Sequence, residues 1–149
     1  MTLQSAPSST PTRAVICSHQ GQRFALPLSA VRQVAEMSLL ARVPRAPPAL
    51  LGVMNHAGRV ACVVDLGPLV GLRARPARPE GKVVLLQRSR GDLGLYVSDV
   101  HGIETLPAES VPLEQHEGAA VSRIDLPAGP VKLIDPELLA RAIDNLVEA

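Results

Sequence analysis

Prolines and glycines fall so often along this chain that no long regular element has room to form. There are 14 Pro and 11 Gly in 149 residues. The sharpest break is Val43-Pro44-Arg45-Ala46-Pro47-Pro48, where three prolines remove backbone donors and hold the residues before them extended. Neither a helix interior nor a central strand can pass through it, so it reads as a stiff, extended loop. Between the breaks lie short Val-rich runs, the pattern of short strands joined by turns. With one Phe, one Tyr and no Trp, the core has to be built from aliphatic side chains, and a hydrophobic content of 46% suffices for one domain.

Residues 14–18 and 23–26 read as a hairpin through His19-Gln20-Gly21-Gln22, with Gly21 free to take a positive φ. Pro27 ends the second run, and Leu28, Val31 and Val34 recur at a spacing that predicts one or two turns of helix. Residues 51–55 and 59–66 are strands joined through His56-Ala57-Gly58. In the second of them Val60, Cys62 and Val64 share one face while Ala61 and Val63 share the other, which predicts a central strand. Residues 66–70 suit a helical turn closed by Gly71, and the basic, Pro-containing stretch 73–81 reads as a solvated connector. Further strands are predicted at 82–87, 93–97, 102–106, 121–124 and 131–134, with a polar turn over 88–92. Asp135 as N-cap, Pro136 at the first helical position and Glu137 in the first turn start a terminal helix with Leu139, Ala142, Ile143 and Leu146 as its apolar stripe. Residues 1–12, rich in Ser, Thr and Pro, read as a disordered lead-in. No apolar run is long enough to span a bilayer, so a cytoplasmic protein without direct membrane insertion is expected.

The search for chemistry returns little. His19, His56, His101 and His116 are scattered, no zinc-ligand spacing or phosphate-binding glycine loop occurs, and neither metal nor cofactor is expected. The best enzymatic arrangement is Cys62 with His56 and Asp65, since a thiol nucleophile needs an imidazole beside it. Set against it, Cys62 alternates with valines as a core residue would, Cys17 sits in a similar apolar run, and Asp65 stands where a cap is needed. A small barrel that binds single-stranded nucleic acid is the other alternative. That role requires aromatic platforms and a basic groove, whereas Phe24 and Tyr96 are the only large aromatics and the net charge is +1.

The two halves of the chain rhyme: Val63-Val64-Asp65-Leu66 and Leu133-Ile134-Asp135 each end an apolar strand on an aspartate before a helical turn. This pattern suggests two similar small barrels side by side. The block from Val43 to Leu66 resembles the signature of the CheW family of bacterial chemotaxis, which has a Pro-Gly-Ala-Pro-like loop, a Gly-Val-x-Asn-x-Arg-Gly turn and an apolar strand ending in Asp-Leu. The resemblance extends to residues 24–34, 93–106 and 135–139. It implies an all-β fold of two five-stranded SH3-like barrels packed side by side around a shared core, with short helices including a C-terminal one. The CheW-like domain is expected over 13–147: residues 13–72 plus helix 136–147 in the first barrel, 82–135 in the second, and 73–81 between them. The resemblance further implies a non-catalytic adaptor that couples the cytoplasmic tip of a chemoreceptor to the regulatory domain of a CheA-type histidine kinase, in the cytoplasm and recruited to membrane-associated receptor arrays. Its receptor groove would use Val31, Gly52, Asn55, His56, Ala57, Gly58, Val83 and Gly94, with the alternative that Val31 and Val83 are core and Gly52 and Gly94 serve strand packing. Two positions depart from the family pattern: Ala57 stands where an arginine is usual, and Ser98-Asp99 where an Asp is followed by Glu or Gly.

Overall fold

A computed structural model describes residues 12–88 and 91–148. The lead-in expected over 1–12 lies outside them except for Thr12, which opens the first strand, and the turn over 88–92 lies partly outside. The chain runs β1 (Thr12–His19), β2 (Gln22–Pro27), a 3-10 turn (Leu28–Ala30), β3 (Val31–Glu36), β4 (Leu50–His56), β5 (Arg59–Asp65), α1 (Leu66–Leu69), β6 (Lys82–Leu86), β7 (Asp92–Val97), β8 (Asp99–Leu106), β9 (Val111–Glu117), β10 (Ala120–Leu126), β11 (Gly129–Ile134) and α2 (Pro136–Glu148). No described helix is long and apolar enough to cross a membrane.

The strands form two sheets, one six-stranded in the order β8-β1-β2-β11-β10-β9 and one five-stranded in the order β3-β6-β7-β5-β4. The all-β class is as expected, and β5 is central, as its two apolar faces required. The ladders leave both sheets open at their edges. Two sequence expectations fail locally. Val31–Glu36 is a strand, because only Leu28–Ala30 turns before the chain pairs antiparallel with β6. Val111–Glu117, whose residues are nearly all exposed, is an edge strand on β10 that gives one sheet six strands rather than five.

The division of the chain also differs from the sequence reading. Because β2 pairs parallel with β11, the N-terminal hairpin joins β8–β11, whereas β3–β7 make up the other sheet. Residues 73–81 therefore lie inside the β3–β7 unit, between α1 and β6, and do not separate two barrels. Within this arrangement the rhyme takes a definite form. The sequence β3-β4-β5-α1-β6-β7 corresponds to β8-β10-β11-α2 followed by β1-β2, a circular permutation in which the chain's first hairpin completes its last unit. The correspondence holds in detail: the Asp65 amide donates to Ala49 O at 2.8 Å, and the Asp135 amide to Ala119 O at 2.9 Å.

Three clusters of buried apolar residues follow from the strand alternation. Ala14, Ile16, Ala25, Ile124 and Val131 fill the inner face of the six-stranded sheet. Met54, Ala61, Val63, Val83, Leu85 and Tyr96 fill that of the five-stranded sheet. The largest cluster lies between the sheets, where Phe24 and Leu26 meet Val64, Val84 and Leu95 under Leu139 and Ile143 of α2. That shared core is the one the resemblance implied. Asp135 caps α2 as expected, its Oδ1 accepting from the Glu137 amide at 2.8 Å and the Leu138 amide at 3.3 Å.

A buried hydrogen bond crosses the junction of the sheets. His19, at the end of β1, donates from Nε2 to Asp65 Oδ1 at 2.7 Å, with relative side-chain exposures of 3% and 0%. The same carboxylate accepts from the Gly67 amide at 3.0 Å, capping α1, and from the Arg75 amide at 2.9 Å. Burial by itself would push the Asp65 carboxyl up, but the hydrogen bonds from His19, Arg75 and Gly67 together outweigh it and hold the carboxyl below its ordinary value. Its contribution to stability is therefore complete above about pH 4 and is lost as the pH falls through the lowered value. We predict that His19→Ala, which leaves this carboxylate buried without its side-chain partner, destabilises the fold by about 3–5 kcal/mol in urea denaturation at neutral pH, and that the difference from the native chain narrows in acid.

Candidate docking site

Four positions of the expected groove, Asn55, His56, Ala57 and Gly58, form the tip of the β4–β5 hairpin and are exposed or half-exposed. Ala57 and Gly58 have φ of 51° and 81°, and His56 pairs with Arg59, so the turn is the two-residue type whose central residues both need positive φ. Asn55 Oδ1 accepts from the Gly58 amide at 3.1 Å and stiffens it. Ala57 takes this conformation with a Cβ and no side chain to compensate.

The other four positions go elsewhere. Val83 is 0% exposed in the inner cluster of the five-stranded sheet, and Gly94 is buried one strand away. A Cβ on Gly94 would stand 2.2 Å from Val83 Cγ1, so this glycine exists to admit Val83. Gly52 is buried with φ of 149°, and a Cβ there would stand 2.6 Å from Ala41 O, where residue 41 bridges to Val53. These three positions serve packing and present no side chain to a partner. Val31 is half-buried against the shared core at the start of β3. Its neighbours on the same face of the sheet, by register, are Leu86, Leu93, Cys62 and Val53. Next to Cys62 on that face comes Val60, 66% exposed at the tip.

On the opposite face, polar side chains close the end of the sheet. Arg32 of β3 and Arg59 of β5 both donate to Asp92 of β7, at 2.9 Å each. His56 of β4 bonds Gln33 of β3 at 3.3 Å. β3 and β4 are the two edges of this sheet, so side chains join edges that no backbone ladder joins. The Asp92 carboxyl is held below its ordinary value, mainly by the hydrogen bond from Arg32 with both arginine charges adding. The tip is thus a stiff turn with an exposed valine on one face and an arginine pair, fixed by one carboxylate, on the other.

A thiol-based active site has no geometry here. Cys62 lies on the face opposite Ala61, whereas His56 and Arg59 share the Ala61 face and His56 is taken up by Gln33. Asp65 serves His19 and the α1 cap, and Cys17 is buried with its thiol pushed up to about 12 by burial. His19 and Ser98 are polar residues to which the sequence reading gave no contact. Ser98 Oγ lies 3.3 Å from His19 Nδ1, and the Ser98 amide donates to Ser18 O, fixing the crossing from β7 into β8. Asp99 Oδ1 accepts from the Val100 amide at 2.8 Å, so this second departure from the family pattern lies at the bend where Ser98 leads into β8 and Asp99 opens the strand.

A family match covers nearly all of this. The CheW-like domain aligns with residues 10–143. The chain belongs to the CheW-like domain family. Among curated relatives, a probable chemotaxis protein CheW of Rhizobium etli is 29% identical over 60% of this chain, a chemotaxis protein CheW of Rhizobium meliloti 29% over 57%, and the protein PilI of Pseudomonas aeruginosa 26% over 60%. The matches span 58%, 55% and 51% of those relatives' own lengths. The crystal structure of the scaffolding protein TtCheW from Thermoanaerobacter tengcongensis superposes with a TM-score of 0.71 at 17% identity, covering 91% of this chain and 90% of that one. Two sheets with few helices match the CheW fold of two SH3-like β-barrel subdomains.

Ala57 stands where the resemblance implied an arginine, and Arg59 does not reach the apex in its place: its Nε is drawn back along the sheet to Asp92. We predict that Gly94→Ala destabilises the chain by about 1–3 kcal/mol in urea denaturation, and that Val83→Ala in the same chain recovers part of the loss. Strictly additive losses would show that the two residues do not share one packing space.

Proposed function

We propose that the chain is a non-catalytic adaptor that couples a chemoreceptor to a CheA-type histidine kinase in chemotaxis-like signal transduction. The observation that carries this reading is the family match over residues 10–143, which takes in both sheets and all but the end of the terminal helix. An adaptor of this kind works by geometry and affinity, and the fold supplies a rigid body with a projecting turn. The receptor's helical tip would lie against the β4–β5 hairpin, with Val60 and the half-buried Val31 as apolar contacts, Asn55 to Gly58 beneath it and the Arg32–Arg59 pair toward its acidic side chains. The kinase's regulatory domain would meet a sheet edge. Recruitment of the chain to membrane-associated receptor arrays would follow from these contacts, without any insertion of its own.

The test is a pull-down of the purified full chain against a receptor signalling fragment and a kinase regulatory domain. Binding to both is expected, and binding to neither at tens of micromolar removes the proposal. Within it, Val60→Glu places a charge at the apolar side of the tip. It is expected to weaken receptor binding by at least about tenfold, with the kinase interaction and the melting temperature unchanged.

A further inference from the structure

The stretch 73–81 is mostly exposed to solvent, as its composition suggests, but it is not loose. Its backbone is pinned at three arginines: Gln20 Nε2 donates to Arg73 O at 2.7 Å, the Arg75 amide donates to Asp65 Oδ2 at 2.9 Å, and the Arg78 amide donates to Tyr96 OH at 2.8 Å. With their backbone groups bonded inward, all three residues are exposed. Beside them runs the Pro loop. Residues 43–46 form a turn closed by the Ala46 amide on Val43 O, and Arg45 sits in it at φ 62°. That conformation favours glycine. An arginine held where it is conformationally costly, on a surface loop, points to a use for its charge.

Between the two segments lies a depression of about 350 Å³, walled by Val43, Pro47, Pro48 and Leu51 with Arg42 and Arg75 at its sides and no carboxylate in its lining. Arg75 and Pro76 also form a wall of an adjoining depression of about 330 Å³ that reaches Arg78 and holds one carboxylate, Glu80, in its lining. Among the described residues, Arg42, Arg45, Arg73, Arg75 and Arg78 have no carboxylate within 4.0 Å, a state shared by the scattered Arg13, Arg23 and Arg141, whereas Arg32, Arg59, Lys82, Arg88, Arg123 and Lys132 all have one. In a chain of net charge +1 this is a local concentration of cation and not a general basic field.

We infer that the Pro loop and the pinned stretch 73–81 together form a docking surface for an acidic peptide segment of a partner protein, one that carries carboxylates on either side of an apolar side chain. The arginines would take the carboxylates, and the proline-walled depression would take the apolar group. Single-stranded nucleic acid fits less well, since Phe24 and Tyr96 are buried and no base could stack on them. A membrane surface fits less well because the apolar element is concave. The surface does not rest on the coupling proposal: it lies at the Leu50 end of β4 and the hairpin tip at the His56 end, about 20 Å away at strand rise.

The test is fluorescence anisotropy of a labelled peptide, Glu-Glu-Leu-Leu-Glu-Glu, titrated with the full chain at low ionic strength. Its all-lysine counterpart, phosphatidylserine vesicles and single-stranded DNA are run alongside. The acidic peptide is expected to bind and the lysine peptide not to. Affinity should fall with salt and drop at least about tenfold in the Arg42→Gln, Arg75→Gln double variant, while Arg13→Gln, at the opposite end of β1 from His19 and Gln20, leaves it unchanged. Arg45→Gly carries a second readout that a purely structural role would not give: the variant is expected to melt about 2–4 °C higher, as the positive φ is relieved, and to bind the peptide more weakly. No binding of the acidic peptide, equal binding by the double variant, or stronger retention on vesicles or DNA would each overturn the inference. None of these outcomes bears on the hairpin tip, whose variants leave this surface intact.

Discussion

The carboxylate of Asp65 is the point through which the two sheets and the chain between α1 and β6 are tied together. It is fully buried, and each of its contacts belongs to a different part of the fold: His19 from the six-stranded sheet, the Gly67 amide from α1 and the Arg75 amide from the stretch that leads back to β6. A buried carboxylate is tolerable only when its acceptor sites are filled, so these parts must arrive together for any of them to be stable. His19 is fixed in turn by Ser98 at the crossing between sheets and by the edge of Tyr96, whose ring centroid lies 5.7 Å away. Around this polar point the shared apolar core supplies the bulk of the cohesion, and the direction of approach is set by the hydrogen bonds.

The same tie explains why the surface is rigid where partners would meet it. From Asp65 the chain runs back through β5 to the hairpin tip, whose far end is stiffened by Asn55 on Gly58 and by two arginines on Asp92. In the other direction it runs into residues 73–81, pinned three times. A molecule that acts by holding other proteins in register gains from such stiffness, because an adaptor that flexed would lose affinity to the entropy of ordering it.

Much of this was legible from residue types. β5 was readable as a central strand because valines occupy both of its faces, and α2 because Asp135 and Pro136 mark its start as few other pairs do. The β1–β2 and β4–β5 turns were visible in Gly21 and Gly58. Other parts were hidden for physical reasons. In β3, the 3-10 turn at Leu28–Ala30 shifts the phase of the apolar residues, so Leu28, Val31 and Val34 mimic a helical period although Val34 and its neighbours lie in a strand. β9 buries too little to show any period. The partition into two units depends on β2 lying parallel to β11, more than a hundred residues away, and nothing local announces such a pairing. The expected groove was drawn from a family pattern, which marks positions without distinguishing contact from packing; Val83, Gly94 and Gly52 are packing. His19 carried no local signal, since its partner is 46 positions off.

The most direct measurement of the central claim, that this rigid body meets its receptor through the β4–β5 hairpin, is amide hydrogen exchange on the full chain with and without a receptor signalling fragment. The account expects new protection over residues 55–60 and at the start of β3, with the amides of β8 and β9 on the far sheet unchanged. Protection confined to β8 and β9, with the hairpin exchanging as in the free chain, would contradict it.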